Sequence, residues 1–474
     1  MHAYIFFSIL EEFFAKIANK LLADGSVTSV SGCIWGRYSL SLIERQRLPL
    51  HNVLMLSDVF RNLPARPDYE MLRVYENLPD GAPIPLMITA DRIICKMDYD
   101  TAIRHVCAVI QAVEMAFEQS DPGVLLMDDV SCVPSFAHYL VARRRGVPVV
   151  MLGGCRLPGR MMAYSNPVGH FDSAITEYAK IKREGLPSAE RTAARAYIQS
   201  LRTKAQDIPY MRHAGQRPLV GVRQLRELAA VWPRFHADRM DYTAFSIPRA
   251  VKQRLGRFVR YQLMRFRWKQ AVQGEKYVLF PLHYQPEAST TVRAPFFMDQ
   301  CALAENIARA LPAGYRLYIK EHSARIGCRP LRDVARLRAI PSARLIDPYA
   351  DSRALVMNAK CVTVITSTMG WEALLLGIPV VVFGEALYTH CDGVHVAGAP
   401  RDYPALLRRA LAEPPAPAAV EDFLAALFRV TFPGRIGHPY YLPDVLSDDN
   451  IEQIAGFLRE TYLHPARGMT APRP

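Results

Sequence analysis

The stretch VITSTMGWEALLLGIPVVVFG, residues 364–384, decides how this chain folds. An apolar run stops at Thr366-Ser367-Thr368, Gly370, Trp371 and Glu372 open a helical segment, and after Gly377 Pro379 launches a second apolar run. Two buried strands joined by a helix are the repeating unit of parallel α/β folds. Hydroxyl residues at the strand's carboxyl end expose backbone N–H groups at the helix start, where the helix dipole favours an anion such as phosphate. Ser367 or Thr368 also suits an N-cap. Glu372, one half-turn on, can accept hydrogen bonds from both hydroxyls of a ribose. Capping alone, with Glu372 complementing the dipole, accounts for the same residues equally well.

Working outward, the alternation continues on both sides. In the second half strands are expected at Tyr277–Leu282, Arg316–Ile319, Arg344–Ile346, Val362–Ile365 and Pro379–Phe383, with helices near Phe297–Leu311, Ser352–Asn358 and Gly370–Leu376. The first half repeats the pattern. Its strands are expected at Tyr4–Ser8, Val27–Ser31, Val53–Leu56, Val124–Met127 and Val147–Leu152, and its helices include Thr101–Gln119 and Val133–Arg145. Residues 172–206 read as purely helical, and 210–275 as irregular and basic. The expected fold class is therefore α/β, with two doubly wound Rossmann-like domains facing a cleft. The expected limits are 1–171 for an N-terminal α/β domain, 172–275 for a helical and basic connection, 276–445 for a C-terminal α/β domain, and 446–474 for a terminal helix and tail.

Bulk composition agrees with this division. At 474 residues the chain is too long for one ordinary core. Half the residues are hydrophobic and 22% are charged, which excludes a disordered protein. The formal charge of +13 attracts anionic partners without choosing among them. Nine scattered cysteines with no C-x-x-C pair argue for reduced thiols in a cytoplasm rather than a disulfide framework or zinc site. The apolar start meets Glu11 and Glu12 at once, so no signal peptide is expected, and no apolar run reaches membrane-span length.

Two further polar clusters fall at expected strand ends. After Arg316–Ile319 come Lys320, Glu321, His322 and Ser323. A cation, a carboxylate and an imidazole together are costly to bury without a task, although a solvated loop fits them too. After Tyr277–Leu282 come His283, Gln285, Pro286, Glu287, Ser289 and Thr290. A single histidine there is more often a satisfied core residue, but three such clusters in one domain point to a ligand pocket.

The segments HYQPEAST (283–290), KEHS (320–323), the run from Asp347 to Tyr388 and, more weakly, CRLPGR (155–160) resemble the capsule polysaccharide biosynthesis protein family. The resemblance covers roughly 276–390. It implies a GT-B-like glycosyltransferase of bacterial surface polysaccharide assembly, with a nucleotide sugar as substrate and neither cofactor nor metal. It also implies donor contacts at Lys320, His322, Ser367, Thr368 and Glu372. Gly370 at the helix start is a further phosphate-binding candidate, and His283, Gln285 and Glu287 are cleft candidates by their place at a strand end. Ser323 stands where the family pattern has proline after the histidine.

The first half must then supply the acceptor site and a base, since sugar transfer with inversion needs a group to take the acceptor hydroxyl's proton. Asp128 and Asp129, at the end of Val124–Met127, are the candidates; capping of the next helix, by Asp129 above all, fits equally well. Gly153-Gly154 lets backbone approach a ligand, and Arg156 and Arg160 can hold an anionic one. Asp91-Arg92 is a weaker pair. His390, Cys391, Asp392 and His395 match no standard metal spacing and are expected in a cleft-lining loop. Residues 249–270 carry eight Lys/Arg, no acid, and an apolar face of Val251, Leu255, Phe258, Val259, Leu263 and Phe266. That suits either an anionic membrane surface, at the inner face of the inner membrane, or a docked helix with a solvated basic side. Nucleic acid is not expected. The expected partners are thus a nucleotide-sugar donor and a glycan or lipid-linked acceptor. A sugar-nucleotide epimerase of the same architecture and a non-catalytic subunit of polysaccharide assembly or export are the alternatives.

Overall fold

The computed structural model describes residues 1–167, 171–203, 238, 240–242 and 247–463. Half of the irregular basic stretch expected over 210–275, all of it before residue 247, and the Pro-rich end after 463 lie outside the described residues. By its contacts the chain forms two units, one of Met1–His170, Val222–Ala250 and Thr431–Pro474, the other of Phe171–Gly221 and Val251–Val430. The stretch read as a connection is thus shared between the units, and everything from Thr431 onward counts with the first.

The first unit is built on β1 (His2–Phe6), β2 (Ser29–Ile34), β3 (Leu50–Met55), β4 (Val124–Met127), β5 (Val149–Gly154) and β6 (Arg160–Tyr164), in the spatial order β6-β5-β4-β1-β2-β3. The pairs from β5 across to β3 are parallel. β4 is buried along its whole length, as a parallel strand covered on both faces must be. The helix α1 (Glu11–Ala23) turns Phe13, Phe14, Ile17 and Leu21 into the core under Ile5, Val30 and Leu126. A helix starts after β4 at Val133 and ends at Arg145 (α2), where Gly146 takes the left-handed conformation at φ 69°.

The second unit carries β7 (Tyr277–Pro281), β8 (Arg316–Lys320), β9 (Ala343–Ile346), β10 (Cys361–Val364), β11 (Val380–Val382) and β12 (Val394–Val396), all parallel, in the order β12-β11-β10-β7-β8-β9. Helices at Asp172–Glu184 and Ser188–Thr203 fill the stretch expected to be helical. α3 (Ile247–Met264) precedes the sheet, and α4 (Thr368–Leu375) joins β10 to β11. The chain closes in the first unit with β13 (Phe432–Pro433), antiparallel on β6, and α5 (Asp448–Leu458), whose Ile451, Ile454 and Leu458 share the core of α1.

The expected α/β class with two doubly wound parallel sheets therefore holds, and the ten expected strands are all present within a few residues of their expected limits. β6, β12 and β13 were not anticipated. β6 and β13 pair antiparallel at the sheet margin, and β12 lies inside the segment expected to be a loop. Short edge strands carry too few residues for a period-two pattern to stand out.

Candidate functional site

Each sheet reverses its winding once. In the second unit the chain runs β7 to β8 to β9 toward one margin, then returns to β10 beside β7 and continues to β11 and β12. Ligands of open α/β sheets bind outside the carboxyl ends of the strands at such a switch point. The three polar clusters occupy the ends of β10, β7 and β8, which are neighbours in the sheet. The structure thus brings together residues that the sequence spreads from 283 to 372.

The links are specific. The Thr366 N–H donates to His283 Nε2 at 3.3 Å, tying the ends of β10 and β7. His283 is held by Gln300, whose side chain accepts from the His283 N–H and donates to its carbonyl. Thr366 Oγ1 donates to the Ser289 carbonyl at 2.9 Å. Tyr284 lies edge-on to His322, with ring centroids 6.0 Å apart, joining β7 to β8, and the Arg325 guanidinium sits 5.4 Å from the Tyr284 ring.

At α4 the cap is Ser367, whose Oγ accepts from the Met369 N–H. Thr368 and Met369 form the first turn, both partly exposed, and Glu372 is half-buried on the next. Gly370 is required by packing. A Cβ there would stand 2.2 Å from the Tyr388 hydroxyl and 2.8 Å from Val364 Cγ2. Tyr388 donates to the Ser367 carbonyl and stacks on the buried Trp371, which braces the helix start from below.

The KEHS segment is less uniform than its sequence suggested. Lys320 is buried and donates from Nζ to the Pro348 carbonyl at 2.7 Å; burial lowers its pKa to about 8, against the pull of Asp347, Glu321 and Asp351. Glu321 forms a buried bidentate pair with Arg329 at 2.7 and 3.2 Å. His322 accepts on Nδ1 from the Ala324 N–H, and burial lowers its pKa, so it is a neutral imidazole near pH 7. Gln285 donates to the Met298 carbonyl, and the Glu287 side chain accepts from Ser289 Oγ. A cavity of about 420 Å³ opens beside Gln285, on the side of Asp299, Arg329 and Arg336. Each of its arginines is paired with a carboxylate, so it presents little net charge.

The first unit has its own switch point, between β1 and β4. Asp128 stands there. Its residue is partly exposed, yet Oδ1 is sealed from solvent without a hydrogen-bond partner among the described residues. Burial, reinforced by the Asp129 carboxylate and opposed by hydrogen bonds from the Asp129 N–H and the Ser8 side chain, pushes the Asp128 carboxyl up to about 7. Ser8 follows β1 with φ 52°, and sequence reasoning passed over it because nothing in the chain marks β1 as the neighbour of β4. Asp129 is not the helix cap. Its Oδ1 accepts from the Val130 N–H, whereas α2 starts with Cys132 and Ser135 capping each other, and Asp91 Oδ2 accepts from Val133. Asp91 also holds the N–H groups of Ile93 and Ile94, which makes it a structural brace.

Other expected residues have structural work. Arg160 donates from Nε to Thr431 Oγ1 at 2.7 Å and from Nη2 to the Thr431 carbonyl, fastening the chain before β13 to β6. Gly153 leaves room for Tyr164, whose ring would otherwise stand 2.8 Å from a Cβ and whose hydroxyl donates to the Asp128 carbonyl. Arg156 lies partly exposed in the turn between β5 and β6. His390 pairs with Glu385 and Asp392 with Lys182, while Cys391 and His395 are buried, so these four do not converge.

Residues 230–430 match the model of the capsule polysaccharide biosynthesis protein family. The resemblance read from the sequence therefore holds over a span that contains the whole switch point of the second unit; the weaker likeness at 155–160 falls outside it. No curated protein matches the chain. Among solved structures, the KpsC β-Kdo 2,7-transferase of Thermosulfurimonas dismutans is 14% identical over 69% of this chain and 83% of its own, with a TM-score of 0.38. The β-Kdo 2,4-transferase of the same protein is 15% identical over 71% and 87%, with a TM-score of 0.33. The UDP-GlcNAc 2-epimerase of Neisseria meningitidis, bound to UDP-GlcNAc, is 11% identical over 94% and 96%, with a TM-score of 0.29.

Proposed function

We propose that the protein is a glycosyltransferase that moves a sugar from a nucleotide-activated donor to a glycan or lipid-linked acceptor in the assembly of a capsule or related surface polysaccharide. The observation that carries this reading is the convergence of three polar strand ends at one switch point, inside the span that matches the family. The donor's phosphates sit at the start of α4, on Ser367, Thr368 and the first-turn N–H groups, with Gly370 keeping the turn close-packed. Glu372 receives the ribose hydroxyls. His322, Gln285 and Glu287 border the pocket, and His283 holds its floor. Lys320 contributes positive charge from beneath the pocket and, with the helix dipole, stabilises the leaving phosphate without a metal.

Asp128 is the base. A carboxyl with a pKa near 7 is half ionised at neutral pH, and it binds a proton far more strongly than an ordinary aspartate does. Asp129 raises that affinity by its charge, and Arg156 attracts an anionic acceptor. A cytoplasmic location fits nine cysteines, none of them in a disulfide.

A thermal-shift screen across CMP-, UDP- and GDP-linked sugars tests the reading, followed by transfer assays with glycan acceptors. One nucleotide raises the melting temperature selectively, and its sugar moves only when acceptor is present. Conversion of the sugar nucleotide without acceptor would identify an epimerase instead. No shift with any nucleotide overturns the donor site.

A further inference from the structure

The helix α3 is mounted with its apolar stripe outward. Val251, Leu255, Val259 and Leu263 recur every fourth residue, and Phe266 follows in the turn beyond. They are 46%, 57%, 46%, 49% and 80% exposed, respectively. The opposite face is the docked one. Tyr261 and Met264 are buried, Arg257 Nε donates to the Ile326 carbonyl at 2.7 Å, and Arg260 Nε donates to the Gly327 carbonyl at 2.8 Å. The contact is close. A Cβ on Gly327 would stand 2.5 Å from the Arg257 carbonyl oxygen. A helix that only needed to pack on its unit would turn its leucines and valines inward; here arginines anchor the helix and the aliphatic side chains face away.

The flanks of the stripe are cationic. Arg249, Lys252, Arg265 and Arg267 are exposed, and none is paired with a carboxylate among the described residues. Arg265 lies 4.4 Å over the Phe266 ring, so the most exposed apolar side chain of the ridge carries a cation on its face. Residues 249–270 contain no acid. An apolar ridge edged with exposed cations is complementary to one environment above others, the headgroup region of an anionic bilayer. There the side chains enter the acyl boundary while Lys and Arg stay among lipid phosphates. Among the described residues no helix is long and apolar enough to cross a membrane, so this contact lies along the surface.

We propose that α3 and Phe266 form a membrane-docking ridge that seats the second unit on an anionic lipid surface. The proposal does not depend on the donor site, and its test needs no substrate. The full chain is mixed with phosphatidylcholine vesicles that contain phosphatidylglycerol, and with pure phosphatidylcholine vesicles, and sedimented. The protein partitions to the anionic vesicles, and partition falls as salt rises. Replacing Leu255→Ser, Val259→Ser and Leu263→Ser together weakens partition at least about tenfold with an unchanged melting curve, because these side chains lose only exposed contacts. Lys252→Glu with Arg265→Glu and Arg267→Glu has a similar effect. Phe266→Trp adds a reporter whose emission shifts to the blue on anionic vesicles only. No partition of the wild-type chain, equal partition of the serine variant, or an unshifted emission from the Phe266→Trp variant overturns the proposal. So does a dimer that the serine variant dissolves while vesicles bind neither protein, since a second copy would then cover the ridge.

Discussion

The two switch points are alike in topology and opposite in chemistry. In the second unit, β7 and β10 end in hydroxyls and imidazoles that satisfy one another, with Thr366 on His283 and Ser367 on its own helix. The result is a rigid rim whose remaining feature is a helix N-terminus. In the first unit, β1 and β4 end at Ser8 and Asp128, where one carboxylate oxygen is buried without a partner among the described residues and the pKa stands near 7. The same βαβ architecture thus carries the proposed anion cradle in one unit and the proposed base in the other. Paired polar groups hold a shape, whereas an under-partnered buried carboxyl holds a proton.

The comparison breaks most sharply at Asp128. Asp128→Asn should lower transfer by roughly 10²–10⁴-fold while leaving nucleotide binding unchanged. The wild-type rate should rise with pH through about 7, the pKa of the carboxyl, and the variant should lose that rise. Stability gives a second readout. A carboxyl whose folded pKa is raised favours folding below its unfolded pKa and loses that contribution as pH rises through the folded value. The gain in melting temperature of Asp128→Asn over the wild type should therefore grow from about pH 4 to about pH 7 and level off above it. Equal turnover in the two proteins would remove Asp128 as base, and a gain independent of pH would remove the raised pKa.

The opposite result is expected at Glu372. Glu372→Gln should weaken nucleotide affinity by about tenfold to a hundredfold, the cost of losing charge-assisted hydrogen bonds, with no new pH dependence. Titration calorimetry with the nucleotide found in the screen checks it, and unchanged affinity would leave Glu372 as a dipole complement only. The smallest effect tests the rigidity of the rim. Gly370→Ala forces a methyl into Tyr388 and Val364, at a cost of roughly 1–3 kcal/mol by chemical denaturation. A neutral result would mean that the helix start yields easily and that the cradle is not pre-formed.

Much of this was legible in the chain. Short apolar runs located every strand but β6, β12 and β13, because a strand buried on both faces has no polar positions to dilute its signal. The helix limits at Val133–Arg145 and Ser352–Asn358 match those expected, although the cap expected before the first, Asp129, does not. The roles of charged residues were harder to read. Lys320, Arg160 and Asp91 each have a partner within the fold that the sequence did not show, the Pro348 carbonyl, Thr431 and backbone N–H groups respectively, since a side chain's partner depends on which segment folds over it.

The sequence by itself determined the α/β class, the strand ends that carry polar clusters and the basic amphipathic helix, because hydrophobic period, turn residues and charge are local properties. Only the tertiary structure decided that β1 neighbours β4 and β7 neighbours β10, that one oxygen of Asp128 is buried without a partner among the described residues, and that the apolar stripe of α3 faces outward. Strand order and burial arise from contacts between distant parts of the chain, Ala3 with Val124 and Val278 with Cys361, which no local pattern encodes.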